Sequence, residues 1–219
     1  MSVNFKGYMG DQIGKLGPAV GRKWKGKMVY SSYQGKVHDP NTEAQQLMRA
    51  RFAKLAKLAA TMYQALAIGM KSYAKSSRIT EGNAFLKINY GAIQGESADS
   101  LQVTYSDLMV SKGTMTGVRF GTPVFTEPSQ VQVPIAANHS GTYGTSGQDV
   151  VYVALYNEEL GTSALSDGTA LRGDSSVSVE VPSGWQGTKV YVYGFVVGGD
   201  TSNRGNNSDS EYVGMGTIS

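Results

Sequence analysis

Two stretches of the chain, VVYVALY at residues 150–156 and KVYVYGFVV at residues 189–197, are apolar at nearly every position. A strand with one face in water alternates apolar and polar side chains, whereas these stretches are apolar on both alternating faces. They therefore predict two central strands of a sheet that is covered on both sides.

Shorter patterns around these stretches predict further strands. Val177, Val179 and Val181 alternate with polar residues, which is typical of a half-exposed strand. Other short strands are predicted at residues 101–105, 108–111, 117–120, 123–126, 130–135 and 210–213. Gly-rich turns separate them at regular spacing, and this spacing indicates an antiparallel Ig-like β-sandwich.

A helical pattern precedes the strands. Apolar residues recur there at gaps of three and four positions: Met48, Phe52, Leu55, Ala59, Met62, Leu66 and Met70. This spacing predicts one apolar helix face on a helix over about residues 42–68, opened by a capping box at Thr42. A shorter helix is predicted to begin near Thr80 and to end at Gly91. Together the two helices are predicted to form a helical hairpin.

The first part of the chain is basic, rich in glycine and poor in apolar residues. Such a segment has too few apolar side chains to make a core of its own. We predict a Gly-rich basic arm, extended or an irregular hairpin, that folds against the rest of the chain or a neighbour. The predicted fold class is therefore α+β, with the arm at residues 1–39, the helical segment at residues 40–97 and the β-sandwich domain at residues 98–219.

The net charge of +3 conceals a division along the chain. Residues 1–97 carry fifteen Lys or Arg and five Asp or Glu, whereas residues 98–219 carry five basic and twelve acidic residues. This division favours separate electrostatic surroundings for the two parts, although chance clustering on solvated surfaces is the alternative. The predicted interface residues lie in the basic arm and the first helix: Lys15, Arg22, Lys23, Trp24, Lys25, Lys27, Arg49, Arg51, Lys54 and Lys57.

No arrangement of residues predicts catalysis. The chain has no cysteine, which removes disulfides and thiol chemistry, and its two histidines, His38 and His139, are too far apart in sequence to suggest a metal site. The glycine-rich stretch GKLGPAVGRKWKGK matches no phosphate-binding loop, and the tripeptide Arg172-Gly173-Asp174 predicts a plain turn. We therefore expect no enzyme, no cofactor and no metal.

The sequence also carries no pattern for export or for membrane insertion. The opening MSVNFKGYMGDQIG has no basic segment followed by an apolar one, so no ordinary secretory signal is predicted. No stretch reaches about 18 consecutive apolar residues, the length that spans a bilayer. We expect a protein that is made in a cytoplasm and either stays there or is built into a particle.

Spaced motifs along most of the chain resemble those of an uncharacterised family from Bacteroidetes genomes and from their phages or prophages. GPAVGRKWKGKMVYSSYQG at residues 17–35 and PNTEAQQLMRARFA at residues 40–53 carry the resemblance. The family's pattern maps to Gly17, Val20, Gly21, Trp24, Lys25, Gly26, Pro40, Thr42, Ala44, Gln45, Arg49 and Phe52. Because the function of that family is unknown, the resemblance implies no catalytic residues; it implies the context of a phage particle.

These observations lead to a first hypothesis, a phage virion structural or assembly protein of the capsid, neck or tail. Its partners would be copies of itself in a homo-oligomer and other virion proteins, after assembly in the host cytoplasm. Opposite charges on two parts of one chain suit head-to-tail contacts between copies.

Two alternatives remain open at this stage. The basic N-terminal half has interleaved aromatic residues, Trp24, Tyr30 and Tyr33 among them, which suits a nucleic-acid-binding protein. Alternatively, the β-sandwich binds a glycan or another surface, with Trp185 and exposed tyrosines stacking on sugars.

Overall fold

The computed structural model describes residues 2–4, 12–24, 26–35, 39–126, 130–136, 145–200 and 205–218. The chain divides into two compact units, Met1–Thr42 and Glu43–Ser219. Each unit is described by itself.

Within the described residues, the first unit consists of four short strands in one antiparallel sheet of order β1-β4-β3-β2. The strands are β1 (Ser2–Asn4), β2 (Gly14–Leu16), β3 (Ala19–Trp24) and β4 (Lys27–Ser32). Gly17 and Gly26 have φ angles of 57° and 78°, in the left-handed region that glycine adopts without steric cost, and they form the turns on either side of β3. The segment predicted as an extended arm or irregular hairpin therefore contains two successive hairpins.

The described part of the second unit contains four α-helices, α1 (Glu43–Thr61), α2 (Tyr63–Gly69), α3 (Lys71–Ser77) and α4 (Glu81–Ile88). The first predicted helix begins where expected, but it is interrupted at Met62 and the helical path continues beyond Gly69. Its apolar face is buried from Leu55 onward, whereas Met48 is 54% exposed and Phe52 is 59% exposed. The spacing of apolar residues defines a face, but it does not show how far the core extends along that face.

The last helix begins and ends with specific side-chain contacts. The Thr80 hydroxyl accepts a hydrogen bond from the backbone N–H of Asn83 at 3.3 Å, which confirms the predicted start. Beyond the helix, the side-chain amide of Asn89 donates to the carbonyls of Phe85 and Met109 and accepts from the N–H of Met109. The Asn89 side chain thus makes the two backbone hydrogen bonds of Met109 that a neighbouring strand would otherwise make. The prediction of a strand at residues 108–111 is wrong.

The strands of the second unit form a central sheet, an outer sheet and a short ribbon, all antiparallel. The ribbon contains β5 (Ile93–Gln94) and β6 (Gln102–Val103). The outer sheet has the order β12-β9-β7, with β8 also paired to β9, and contains β7 (Arg119–Phe120), β8 (Val124–Thr126), β9 (Gln130–Ala136) and β12 (Ser176–Glu180). The central sheet has the order β11-β10-β13-β14 and contains β10 (Val150–Asn157), β11 (Thr162–Leu165), β13 (Lys189–Val197) and β14 (Glu211–Thr217).

The two apolar stretches of the sequence are β10 and β13, and their pairing runs from Val150 opposite Val197 to Asn157 opposite Val190. Alternate side chains of this pair enter different cores. One set packs with the helices: Tyr152, Tyr156, Tyr191, Tyr193 and Phe195. The other set packs with valines of the outer sheet: Val151, Val153, Leu155, Val190, Val192 and Val196. Both stretches are therefore central strands covered on both faces, as predicted.

The second unit is consequently a mixed α and β structure in which the helices lie on one face of the central sheet and the outer sheet on the other. Phe85 of α4 and Leu55 of α1 share a core with Tyr193 of β13. Helices and strands are thus parts of one unit. The change in charge and periodicity near residue 97 does not coincide with a boundary in packing.

A buried ion pair joins three loops at one end of the sheets. The guanidinium of Arg172 lies 2.9 Å from the Asp149 carboxylate, and both side chains are buried. Arg172 also donates to the carbonyls of Thr116 and Gly117, and the Asp149 carboxylate accepts from the N–H of Ser146. The Arg172-Gly173-Asp174 tripeptide forms a turn, as predicted, with its arginine side chain in the interior.

Replacing Arg172 by methionine should destabilise the protein strongly, because it leaves the Asp149 carboxylate buried without its cation. We expect a loss of about 3–5 kcal/mol in the free energy of unfolding, measured by equilibrium urea denaturation. The matched control is Arg119→Met at an exposed position of β7, where we expect a change within about 0.5 kcal/mol. Equal, small effects of the two substitutions would contradict the buried pair.

Candidate interaction surfaces

The small N-terminal sheet gathers most of the predicted arm residues on one face. Residues directly opposite each other in an antiparallel pair point to the same side, and side chains alternate along each strand. Lys15 lies opposite Val20, and Trp24 lies opposite Lys27. Since Val20 and Trp24 are four residues apart on β3, Lys15, Arg22, Trp24 and Lys27 all lie on one side of the sheet. We call these four residues the basic face.

Not every predicted residue of the arm belongs to the basic face. Lys23 is paired with Met28 and lies on the opposite side of the sheet. Lys25 lies outside the described residues. The basic face therefore contains four of the six residues that the sequence pattern suggested.

The basic face presents both charge and aromatic surface. Lys15, Arg22 and Lys27 are exposed, and the Trp24 side chain is 58% exposed. The Lys15 ammonium lies 3.9 Å from the centroid of the Tyr33 ring, within range of a cation–π interaction. Exposed cations beside an indole suit an anionic partner that also offers an apolar or aromatic group.

Two of the four predicted residues of α1 make hydrogen bonds within the second unit. The Arg51 guanidinium donates to the carbonyl of Gly95 at 2.7 Å, and the Lys54 ammonium donates to the carbonyl of Leu101. These two bonds attach α1 to the segment that follows α4, so both side chains have a structural role. Arg49 and Lys57 are exposed.

A cleft between α1 and the central sheet was not predicted from the sequence. Its volume is about 180 Å³, and its lining residues are Lys54, Lys57, Leu58, Val103, Tyr105, Tyr156, Glu158 and Gly161. We call it the tyrosine cleft. The signal for it in the sequence is Tyr156, which lies opposite Tyr191 and shares one face of the central strand pair with Tyr193, because side chains alternate along each strand.

The tyrosine hydroxyls around this cleft are held in their protonated form. Burial raises the pKa of Tyr105 and of Tyr193 well above the usual range. Burial, followed by the charge of Glu158, raises the pKa of Tyr191 to about 12, and the Tyr191 hydroxyl donates to the Glu158 carboxylate at 3.1 Å. At neutral pH these hydroxyls are uncharged hydrogen-bond donors, which suits binding and not proton abstraction.

An acidic cleft lies beside the outer sheet. Its volume is about 260 Å³, and its lining residues are Gln130, Leu165, Asp167, Ser178 and Glu180. The pKa of Asp167 is lowered, because the backbone N–H and the hydroxyl of Thr169 both donate to its carboxylate. Asp167 therefore stays ionised at neutral pH.

Neither a metal centre nor a membrane span is found in the part of the chain that the structure describes. No group of three or more His, Asp or Glu side chains in it is arranged to hold a metal ion. None of the helices in the same residues is long and apolar enough to cross a bilayer. The two histidines considered as ligands, His38 and His139, lie outside the described residues.

Comparison with known proteins assigns a family but no activity. The model of DUF6266, a family of unknown function, matches residues 10–214 of the chain. No curated protein and no solved structure matches.

The raised tyrosine pKa values make the fold sensitive to alkali. Below the ordinary pKa of 10.0 the Tyr191 hydroxyl is protonated in the folded and the unfolded chain alike. Between pH 10 and about 12 the unfolded chain loses this proton while the folded chain keeps it, so stability falls as the pH rises.

Ultraviolet absorbance of tyrosinate and circular dichroism, followed together through this pH range, measure the effect. We expect part of the tyrosinate signal to appear only as the fold is lost, and Tyr191→Phe to reduce the loss of stability. Ionisation of every tyrosine near pH 10 in a chain that is still folded would contradict the burial described here.

Proposed function

We propose that this chain, which belongs to the DUF6266 family because the family model matches residues 10–214, is a non-enzymatic structural protein. In this proposal it assembles with copies of itself in a phage virion. The observation that carries the proposal is the opposite charge of its surfaces. The Ig-like character of the two packed sheets and the role of the N-terminal unit as a contact arm are part of the proposal.

The two units of the chain differ in net charge. Residues 1–42 carry seven Lys or Arg and two Asp or Glu, whereas residues 43–219 carry thirteen and fifteen. Charge is divided again inside the second unit, because eight of its basic residues lie in the segment 43–97 and twelve of its acidic residues lie in the segment 98–219. The helical layer is therefore basic and the sheet side acidic.

This polarity favours head-to-tail contacts. An interface between a basic surface of one copy and an acidic surface of the next uses two different surfaces of the same chain, so each copy can bind two neighbours. Such contacts close into a ring or continue as a filament, the two arrangements from which repetitive particles are built. We propose that the basic face binds the acidic cleft of a neighbouring copy, where Asp167 and Glu180 supply the negative charge.

Ion pairs alone would give weak contacts. An exposed pair contributes about 0–1 kcal/mol, so three cations on the basic face supply little binding energy by themselves. Trp24 on that face and Met48 and Phe52 on α1 are large, exposed and apolar or aromatic, and tryptophan, phenylalanine and methionine are enriched at protein interfaces. Charge would then select and orient the partner, while these side chains supply buried area.

The assembly proposal predicts oligomers that dissociate when salt is added. At about 1 M salt the screening length falls to about 3 Å, which removes most of the attraction between exposed charges. We expect analytical ultracentrifugation of the full chain to show oligomers at low salt and smaller species at high salt. The double variant Arg22→Glu, Lys27→Glu should remain smaller at low salt.

The matched control is Lys23→Glu, which reverses a charge on the opposite side of the same sheet and should leave assembly intact. A protein that is monomeric at low salt and high concentration would contradict the assembly proposal. If Lys23→Glu reduced assembly as much as the double variant does, the basic face would not be the contact surface. Mass spectrometry of purified particles from the source tests the virion assignment, which fails if the chain is absent from them.

Nucleic-acid binding is the second candidate, favoured by the exposed indole of Trp24 among the cations of the basic face. Cations bind phosphates, and an exposed aromatic ring stacks on unpaired bases. It predicts retardation of single-stranded DNA in a gel at low salt, steep loss of binding with added salt, and loss in the Trp24→Ala variant. No retardation at low salt would exclude this candidate.

A further inference from the structure

The tyrosine cleft has flat aromatic walls that are held in place. The ring centroids of Tyr105 and Tyr191 are 4.1 Å apart with planes inclined by 21°, and those of Tyr105 and Tyr156 are 5.6 Å apart with planes inclined by 28°. The hydroxyl of Tyr193 donates to the backbone carbonyl of Tyr105 at 2.8 Å, which fixes the segment carrying the outermost ring. Preorganised walls lower the entropy cost of binding.

The end of α1 closes the cleft from the other side. The Ser163 hydroxyl donates to the carbonyl of Thr61 at 2.7 Å, so the C-terminus of α1 is attached to β11. Leu58 and Val103 complete an apolar floor beside the rings. The two walls belong to elements that share one core, so the cleft is a fixed feature of the second unit.

Charges of both signs lie at the rim. The Glu158 carboxylate is positioned by the Tyr191 hydroxyl, and its exposed side has capacity for further hydrogen bonds. Lys57 is exposed and supplies an ammonium donor, whereas the Lys54 ammonium already donates to the carbonyl of Leu101. Because charges of both signs lie at this rim, neither an anion nor a cation meets only favourable partners there. The rim therefore selects a neutral ligand that donates and accepts hydrogen bonds.

We propose that the tyrosine cleft binds a saccharide residue, with the C–H face of the sugar ring on Tyr105, beside the buried ring of Tyr156, and its hydroxyls between Glu158 and Lys57. A sugar ring has an apolar face and a rim of neutral hydroxyls, each both donor and acceptor, which matches this combination. The cleft is smaller than the sites that take drug-sized ligands, which begin at about 300 Å³, so it accommodates a single ring of a longer glycan.

This site differs from the glycan site that the sequence suggested. Trp185 is buried in the core between the two sheets, so its ring is not available to stack on a sugar. The tyrosine cleft lies on the helix side of the central sheet. The proposal that it binds a saccharide does not depend on the proposal of self-assembly.

The test follows the tyrosine rings directly. The full chain, labelled with carbon-13 at its tyrosine rings, is titrated with a panel of neutral, acidic and amino monosaccharides and short oligosaccharides, and with choline as a cationic probe. We expect the ring resonances of Tyr105 and Tyr156 to shift with neutral saccharides, with a Kd of about 1 mM for a single ring, since one small ligand buries little area.

Glu158→Gln keeps the size of the side chain and its bond to Tyr191 but removes the charge, so it should weaken binding about fivefold, as should Lys57→Ala. The matched controls Glu159→Gln and Lys75→Ala lie outside the lining of the cleft and should bind as the unmodified protein does. The melting temperatures of all four variants should equal that of the unmodified protein, so that a loss of binding is not caused by a loss of folding. Absence of shifts with every saccharide, equal shifts at the exposed Tyr63, stronger binding of choline, or full binding by folded Glu158→Gln and Lys57→Ala would each overturn the proposal.

Discussion

The structure of residues 43–219 depends on one antiparallel pairing, that of β10 with β13. Because the side chains of each strand alternate between two faces and both faces are apolar, this pair can be buried only between two other layers. The valine face requires a second sheet, and the tyrosine face requires helices. The two faces of this pair therefore differ in chemistry, since the tyrosine rings lie on the helix side and the valine side chains on the side of the outer sheet.

Tyrosine and valine impose different requirements on the layers that cover them. The valine face is apolar except for Asn157 at the end of β10, so the outer sheet covers it mainly by matching its shape. On the other face each buried hydroxyl needs a partner, and the surrounding residues provide it: the Tyr105 carbonyl for Tyr193 and the Glu158 carboxylate for Tyr191. At the tyrosine cleft, some of these hydrogen-bonding groups lie beside solvent.

Sequence reasoning located the central strands and the starts of α1 and α4, because periodicity and capping are local properties. It placed a strand at residues 108–111, where the side chain of Asn89 supplies hydrogen bonds instead, and it began the apolar helix face at Met48 and Phe52, which are both exposed. Both errors have the same cause: a local pattern contains no information about which distant residue arrives beside it. The tyrosine cleft was missed for this reason, since Glu158 and Lys57 are a hundred residues apart in sequence.

The buried strand pair also has a consequence for folding during synthesis. The helices and β10 are made before β13, yet β13 lies between β10 and β14 in the central sheet. Until residue 197 has left the ribosome, β10 has one unpaired edge and the helix face has only part of its cover. Most of the core-forming contacts join residues far apart in sequence, and folds of this kind form slowly. A newly made chain therefore exposes valine-rich strands for longer than a helical protein would, and strands exposed in this way are prone to aggregate with other unfinished chains.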